Sequence, residues 1–323
     1  DITRGTGPSD LRVSAPIWNS GWLVKKGDGI MELTGASTYT GATTISNGTL
    51  MVYSGGTTFN SFVDVKAGAT FVFTNDTSWG GAAGFRVQGS GDWLVTGPGT
   101  SGNGHYDVNT DMSLFTGTLT ITNQRLRIDA NTELPTGVIN IQPGGQFYLV
   151  TAATYSRPVN ISGNGWLEPA GYLGAIRFEN NVTYSGDITL TANARIGHYG
   201  GNTATITGNI AGNYQLELWN GYNTSTLYLN PSVSNNVPAM ILTGSENVYA
   251  EKREAIGGAS VAIGSGAQLW LRYTPAATNL NNITGAGNLM LNRAGGFTVT
   301  NSGSINLTGG IQLGYNAIGI MTV

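Results

Sequence analysis

The sequence has no cysteine, only 10% charged residues and four lysines among its 323 positions. A chain without cysteine forms no disulfide and no zinc site of the thiolate type. So few basic residues, with a formal net charge of −3 and no Lys/Arg patch, argue against the positive surface on which nucleic-acid binding depends. No apolar run approaches the roughly 18–20 residues of a membrane helix. We therefore expect no nucleic-acid partner and no membrane insertion by this segment.

Glycine and small polar residues are abundant in this chain, whereas charged residues are few. There are 49 glycines, with threonine, serine and asparagine throughout, and hydrophobic residues make up 40% of the chain. Such a composition suits many short strands joined by tight turns, so we expect a nearly all-β fold. The sequence starts at Asp1 with neither Met nor a signal peptide, so we expect a processed or excerpted chain.

The chain repeats itself at long intervals. "TGATTISNGTLMV" (Thr40–Val52) returns 76 residues later as "TGTLTITNQRLRI" (Thr116–Ile128). At the same offset, "FVDVKAGATFVF" (Phe62–Phe73) corresponds to "VINIQPGGQFYL" (Val138–Leu149), and "SVAIGSGAQLWL" (Ser260–Leu271) repeats the pattern again. Registered self-similarity of this kind is the signature of a repeat architecture.

A shorter period of about 20–23 residues lies within these offsets, which matches one coil of a β-solenoid. In Thr40–Val52 the inward residues are Ile45, Leu50 and Val52, with a turn at "SNG". The antiparallel sandwich or barrel is the main alternative, since hairpin signals also recur. Strand centres are expected at Leu50, Phe71, Trp93, Phe147, Leu167, Ile196, Leu216, Leu269 and Leu289.

A Gly-x-Gly element begins several coils. By itself, "KKGDGI" (Lys25–Ile30) fits a phosphate loop, a calcium loop or a simple corner. A strand rather than a helix follows the glycines, which argues against a phosphate site. In the copies at Gln88–Trp93, Ser162–Leu167 and Thr284–Leu289, serine, asparagine and alanine replace Asp28. A metal ligand does not tolerate alanine, so the sequence predicts a corner.

Residues for catalysis are sparse. The two histidines, His105 and His198, are placed in Gly/Asn-rich loops and lie near no nucleophile motif. The closest acids are Asp107 with Asp111, Asp129 with Glu133, and Glu251 with Glu254. We predict no catalytic residue, no metal and no cofactor. A glycan-degrading enzyme using such a carboxylate pair stays as an alternative.

Aromatic residues near polar loops give a better functional indication. The predicted partner-binding residues are Trp219, Tyr222, Tyr106 and Tyr199, whose rings can stack on sugars or bury in a protein partner. The alternative for Trp219 is that it caps the core. The one dense charge cluster, Glu246–Gly258, is similar to one turn of helix that leaves the solenoid wall.

Leu23–Val52, "LVKKGDGIMELTGASTYTGATTISNGTLMV", closely resembles the passenger-associated repeat of bacterial autotransporters. Glu133–Leu149 and Glu254–Leu271 resemble the segment that commonly follows it. The resemblance implies a right-handed parallel β-helix, secreted through an outer membrane and displayed outside the cell. We expect a single elongated domain in which residues 1–22 form an N-terminal cap or arm. Residues 23–323 would then form the solenoid, with loop insertions near 98–114 and 245–258.

The function expected from these features is non-enzymatic adhesion or self-association at the bacterial cell surface or in the extracellular space. The partner would be another copy of the chain, or a protein or glycan on a host or bacterial surface. A structural subunit of a self-assembling extracellular filament or matrix is the second hypothesis, because open solenoid ends can stack.

Overall fold

The structure is a computed structural model. It describes residues 1–53, 62–74, 79–80, 85–97, 105–108, 111–129, 133–221, 225–272, 277–279, 281–291, 297–301, 303–313 and 319–322. The chain divides into two compact units. The first unit comprises Asp1–Tyr148 with Trp166–Gly171, and the second comprises Leu149–Gly165 with Tyr172–Val323.

Short strands account for nearly all of the regular structure. The first strands are β1 (Leu11–Val13), β2 (Leu23–Lys25), β3 (Ile30–Leu33), β4 (Thr43–Ile45), β5 (Gly48–Tyr53), β6 (Phe62–Val65), β7 (Ala69–Thr74), β8 (Trp79–Gly80), β9 (Arg86–Gly89), β10 (Asp92–Thr96), β11 (Tyr106–Val108), β12 (Thr118–Ile121), β13 (Arg125–Ile128), β14 (Ile139–Ile141) and β15 (Gln146–Leu149). The strands that follow are β16 (Thr154–Tyr155), β17 (Val159–Gly163), β18 (Leu167–Glu168), β19 (Gly171–Tyr172), β20 (Ile176–Phe178), β21 (Thr183–Tyr184), β22 (Ile188–His198), β23 (Thr203–Ile206), β24 (Ile210–Ala211), β25 (Gln215–Asn220), β26 (Thr226–Leu229), β27 (Ala239–Gly244), β28 (Asn247–Ala250), β29 (Ser260–Ile263), β30 (Gln268–Leu271), β31 (Ala277–Asn279), β32 (Ile283–Gly285), β33 (Asn288–Leu291), β34 (Phe297–Asn301), β35 (Ile305–Leu307), β36 (Gly310–Leu313) and β37 (Gly319–Thr322).

Parallel ladders build the first unit. One ladder runs β1–β3–β5–β7–β10–β12–β14, and a second runs β2–β4–β6–β9. Each strand pairs with the equivalent strand of the next coil, so residues about one period apart in sequence lie side by side. This arrangement excludes the antiparallel sandwich and confirms the predicted all-β parallel solenoid.

Stacked apolar columns form the core of the first unit. Leu50, Phe71 and Trp93 are in register on successive strands and are all buried. The Phe71 and Trp93 rings stack with centroids 6.5 Å apart. Ile45 and Leu50 face the interior with Val52, as the alternation in sequence predicts.

The second unit repeats the design with two ladders. One follows β20–β22–β25–β27–β29–β32–β35, and the other follows β21–β23–β26–β28–β30–β33–β36. Ile196, Leu218 and Leu242 form a buried column on the first ladder. Leu269 and Leu289 are in register on the second ladder.

The Gly-x-Gly elements are corners, as predicted. The first glycine of each copy has a positive φ, which costs a residue with a Cβ about 1–2 kcal/mol. The second glycine is buried against the backbone of the neighbouring coil; a Cβ at Gly91 would lie 2.4 Å from the carbonyl oxygen of Lys66. The middle residues Asp28, Ser90, Asn164 and Ala286 are all exposed. The positive φ angles are 74° at Gly27, 102° at Gly89, 78° at Gly163 and 122° at Gly285.

Two local expectations are resolved by the structure. Leu167 was expected at the centre of a coil strand, but it lies in β18, is 38% exposed, and pairs outside the main ladders with β19. The charge cluster does contain one turn of 3-10 helix, at Arg253–Ala255. No helix among the described residues has the length and apolar character needed to cross a membrane.

Candidate functional site

An aromatic and arginine cluster lies on the outer face of the second unit. Trp219 occupies β25 between the inward-facing Leu218 and Asn220, so its indole points outward and is half-buried. Tyr199 directly follows β22, and its ring is nearly parallel to that of Trp219, with an interplanar angle of 5° and centroids 6.5 Å apart. The structure thus brings together two of the predicted binding residues and places Trp219 outside the core.

Gly221 makes room for this pair. A Cβ on Gly221 would lie 2.7 Å from Cη2 of Trp219 and 3.3 Å from Cδ2 of Tyr199. Both rings therefore fill the space that a side chain at Gly221 would take. Gly221 directly follows β25, so the two rings lie close to the backbone at the end of that strand.

Guanidinium groups complete the cluster. The Cζ atom of Arg177 lies 4.9 Å from the Tyr199 ring centroid, and that of Arg195 lies 5.7 Å from the Trp219 centroid. Arg195 donates two hydrogen bonds to Glu217, at 2.9 and 3.0 Å. A two-point pair of this kind holds the guanidinium in one orientation. Arg177 is itself buried and contacts Glu179 at 2.6 Å, so its charge is compensated as that of Arg195 is. The cluster therefore offers two rings backed by ion-paired arginines.

The other two predicted binding residues are less defined. Tyr222 lies outside the described residues, as does most of the loop expected near 98–114. The backbone of Tyr106 lies in β11, in register with Leu126 of β13. A partner-binding role for Tyr106 and Tyr222 therefore stays a prediction.

A second aromatic group was missed by the sequence argument. Tyr228, Tyr249 and Trp270 stand at the same register on β26, β28 and β30. The signal was present as an aromatic residue every 21 positions in "LYL", "VYA" and "LWL". Proximity to a polar loop does not reveal these three rings, because they lie at equal positions of successive coils instead.

The acids proposed as catalytic pairs have other partners. Asp107 lies 3.2 Å from His105 and 3.8 Å from Arg127, which also contacts Asp129 at 2.8 Å. Asp111 accepts a hydrogen bond from the Ser113 backbone, which holds the pKa of its carboxyl below the usual value. Glu251 pairs with Arg272 at 3.2 Å. In the part of the chain that the structure describes, no three histidines or acids come together as a metal site.

His198 is buried rather than in the loop that the sequence suggested. It is the last residue of β22, is 1% exposed, and has no hydrogen-bond partner for either ring nitrogen among the described residues. Burial lowers its pKa to about 4. Glu246 is also fully buried, with neither carboxyl oxygen partnered in the described part of the chain. Burial raises the pKa of Glu246 well above its usual value.

We expect these two groups to give the stability opposite pH slopes. The unfolded chain protonates His198 below about pH 6.5, whereas the folded chain resists protonation down to about pH 4, so acidification costs about 3 kcal/mol. The unfolded chain ionises Glu246 above pH 4.5 while the folded carboxyl stays protonated, so raising the pH above that value lowers stability.

Denaturant unfolding across this pH range checks both slopes. His198→Leu should remove part of the loss on acidification, and Glu246→Gln should remove part of the loss on raising the pH. Equal pH profiles for both variants and the unaltered chain would contradict the assignment.

Lys25 is buried at the first Gly-x-Gly corner. Its ammonium donates hydrogen bonds to three backbone carbonyls, those of Lys26 at 3.0 Å, Gly27 at 2.8 Å and Asn47 at 3.0 Å. Lys26 and Gly27 belong to the corner itself, whereas Asn47 belongs to the next coil. The Lys25 ammonium thus occupies the corner for which the sequence by itself also allowed a calcium loop.

Comparison with known families identifies this stretch. Residues 23–52 match the family model of the passenger-associated-transport-repeat. The chain carries a passenger-associated-transport-repeat. The match confirms the resemblance to bacterial autotransporter passenger domains. No curated protein and no solved structure matches the chain.

The geometry explains the residue pattern of the passenger-associated-transport-repeat. Its basic residue, Lys25, joins two coils through their carbonyls, and its two glycines make the corner. The "LTG" segment begins at Leu33, the last residue of β3, and the "TTI" segment forms β4, which belongs to a different ladder from β3. Such repeats are generally structural rather than enzymatic, and they are typical of surface or secreted proteins.

Proposed function

We propose that this chain is a non-enzymatic, surface-displayed or secreted segment of an autotransporter-like protein, and that it acts in adhesion or self-association. The observation that carries the proposal is the outward-facing pair of Tyr199 and Trp219, with Arg195 beside the Trp219 ring. Aromatic residues and arginine are the types enriched at energetically important positions of protein interfaces.

The rigidity of the cluster supports a binding role. Glu217 fixes Arg195 and also accepts a hydrogen bond from the Thr243 hydroxyl at 2.6 Å. The two rings stack on each other and lie close to the backbone at Gly221. Groups held in one arrangement lose little conformational entropy when a partner binds, which favours affinity.

The acidic residues support the absence of catalysis. A general acid and base need carboxyl groups free to exchange protons with a substrate. Asp107, Asp129 and Glu251 are instead held in ion pairs with arginines. This arrangement favours a structural role for the acids in stabilising the outer faces of the coils.

Coated beads test the proposal. Fluorescent beads carrying the purified chain are scored for clumping with each other and for attachment to a mucin-coated surface, with albumin-coated beads as the blank. We expect clumping or attachment above the blank, weakened about tenfold or more by Trp219→Ala, since hot-spot aromatics contribute on that scale. Trp219→Phe should retain part of the effect because it keeps a ring over Gly221.

The matched control is Tyr214→Ala, because Tyr214 is 41% exposed in the same unit. It should behave as the unaltered chain does. Beads that neither clump nor attach above the blank would contradict the proposal. Equal losses in Trp219→Ala and Tyr214→Ala would show that the cluster is not the contact surface.

A further inference from the structure

Three aromatic rings form a continuous stack along the outer face of the ladder β26–β28–β30. Tyr228 and Tyr249 have ring centroids 5.0 Å apart at 36°, and Tyr249 and Trp270 have centroids 5.0 Å apart at 6°. The residues on either side of each ring in sequence face inward, and the rings themselves are half-buried. The stack therefore presents one aromatic group per coil over three coils.

A column of uncharged hydrogen-bonding side chains runs beside the rings. Thr226, Asn247, Gln268 and Asn288 are in register on the same strands and on β33. Asn247 donates from Nδ2 to the Ser225 carbonyl, and Gln268 accepts from Nε1 of Trp270 at 3.0 Å. Within the described residues, the amide oxygen of Asn247 and the amide NH₂ of Gln268 have no further partner.

The charged groups on the other side of the stack neutralise each other. Arg272 lies with its Cζ atom 5.3 Å from the Tyr249 centroid and 6.0 Å from that of Tyr228. Its NH1 group contacts Glu251 at 3.2 Å. The arginine thus contacts two of the rings while its own charge is compensated by Glu251.

We propose that the face formed by Tyr228, Tyr249 and Trp270, with the amides of Asn247 and Gln268, binds a neutral polysaccharide chain lying along the ladder. Because the rings stack on one another, their outward edges form an apolar strip along the ladder, against which the C–H groups of sugars can be buried. The amide groups beside this strip both donate to and accept from sugar hydroxyls. One ring and one polar side chain per coil match a ligand that itself repeats. Weak contacts on successive coils then add along a polymer.

This inference rests on the proposed adhesive function and names a ligand class for a face separate from the cluster of Tyr199 and Trp219. A second copy of the chain is the competing occupant. The two are separable, because polysaccharide binding slows migration only in a gel that contains the polymer. Self-association changes sedimentation without any polymer.

Affinity electrophoresis tests the inference. The purified chain is run in native gels containing hydroxyethylcellulose, laminarin or dextran, with polygalacturonate as the anionic control. We expect retardation by at least one neutral polymer and none by polygalacturonate. Trp270→Ala and Tyr249→Ala should each weaken the retardation about tenfold, and Gln268→Leu should weaken it less. Trp270→Phe should retain most of the effect, because the stack persists.

Tyr214→Ala is the control in these gels, because Tyr214 is 41% exposed and belongs to neither aromatic group, and it should be retarded as the unaltered chain is. Far-ultraviolet circular dichroism establishes that each variant keeps its β structure. Absence of retardation by all three neutral polymers, or retardation unchanged in Trp270→Ala, would overturn the inference. So would a change in sedimentation without polymer that Trp270→Ala abolishes. Bead attachment that depends on Trp219 would leave the proposed function standing in each of these cases.

Discussion

Gly89→Ala is expected to lower the free energy of unfolding by about 2–5 kcal/mol. Gly89 has a φ of 102°, which costs a residue with a Cβ about 1–2 kcal/mol. A Cβ there would also lie 2.2 Å from the Val65 carbonyl oxygen, and relieving such overpacking typically costs a further 1–3 kcal/mol or so. Guanidinium chloride unfolding at constant pH measures the change as a shift of the midpoint.

The same corner supplies the matched control. Ser90 is exposed between Gly89 and the buried Gly91, so Ser90→Ala should change stability by less than about 0.5 kcal/mol, as surface substitutions usually do. Gly91→Ala should be costly because its Cβ would meet the backbone of the preceding coil. A corner in which all three substitutions had similar effects would contradict the roles assigned to the two glycines.

Lys25→Met is expected to lower the free energy of unfolding by about 2–4 kcal/mol. Methionine has nearly the same length but no donor, so the carbonyls of Lys26, Gly27 and Asn47 lose their common partner. The Lys26 carbonyl still accepts a hydrogen bond from the Ile2 backbone N–H at 3.0 Å, so the loss falls on the carbonyls of Gly27 and Asn47. Each polar group left unpaired away from water costs about 1–3 kcal/mol, and water entering the corner reduces the total. Chemical denaturation measures this effect as well.

Lys26→Met is the natural comparison, because the Lys26 side chain is exposed next to Lys25. It removes the same charge from the same corner without removing the buried ammonium. We expect little change from it. If the two methionine variants lost equal stability, net charge and not the three carbonyl contacts would explain the effect.

The corners and the core could be predicted because they depend on local chemistry. A Gly-x-Gly copy with an interchangeable middle residue indicates a backbone constraint, and Gly27 and Gly285 do have positive φ angles. Alternation in sequence places Ile45 and Leu50 inside because strand side chains alternate between faces. Neither inference requires knowledge of distant parts of the chain.

The departures from this pattern depend on contacts that one coil does not reveal. Leu167 shares the alternation of a coil strand, yet it lies in a short pairing outside the ladders. His198 has glycine and aromatic neighbours that suggest a loop, but its position opposite Asn220 on β25 turns it inward. Such outcomes are determined by which coil a residue packs against.

The candidate sites were predicted in part for the same reason. Tyr199 and Trp219 were identified from their polar surroundings, but their stacking and the covering of Gly221 follow from the coil spacing. Tyr228 and Trp270 needed only a comparison of equal positions in successive coils. In a solenoid, register identifies outer-face groups better than proximity to loops does.

Hydroxyl-radical footprinting of the chain, free and in bead clumps or bound to mucin, tests the central claim most directly. Mass spectrometry then reports oxidation residue by residue. The account predicts that oxidation of Tyr199 and Trp219 falls on association while that of Tyr214 is unchanged. Association that leaves Tyr199 and Trp219 as reactive as in the free chain would contradict it.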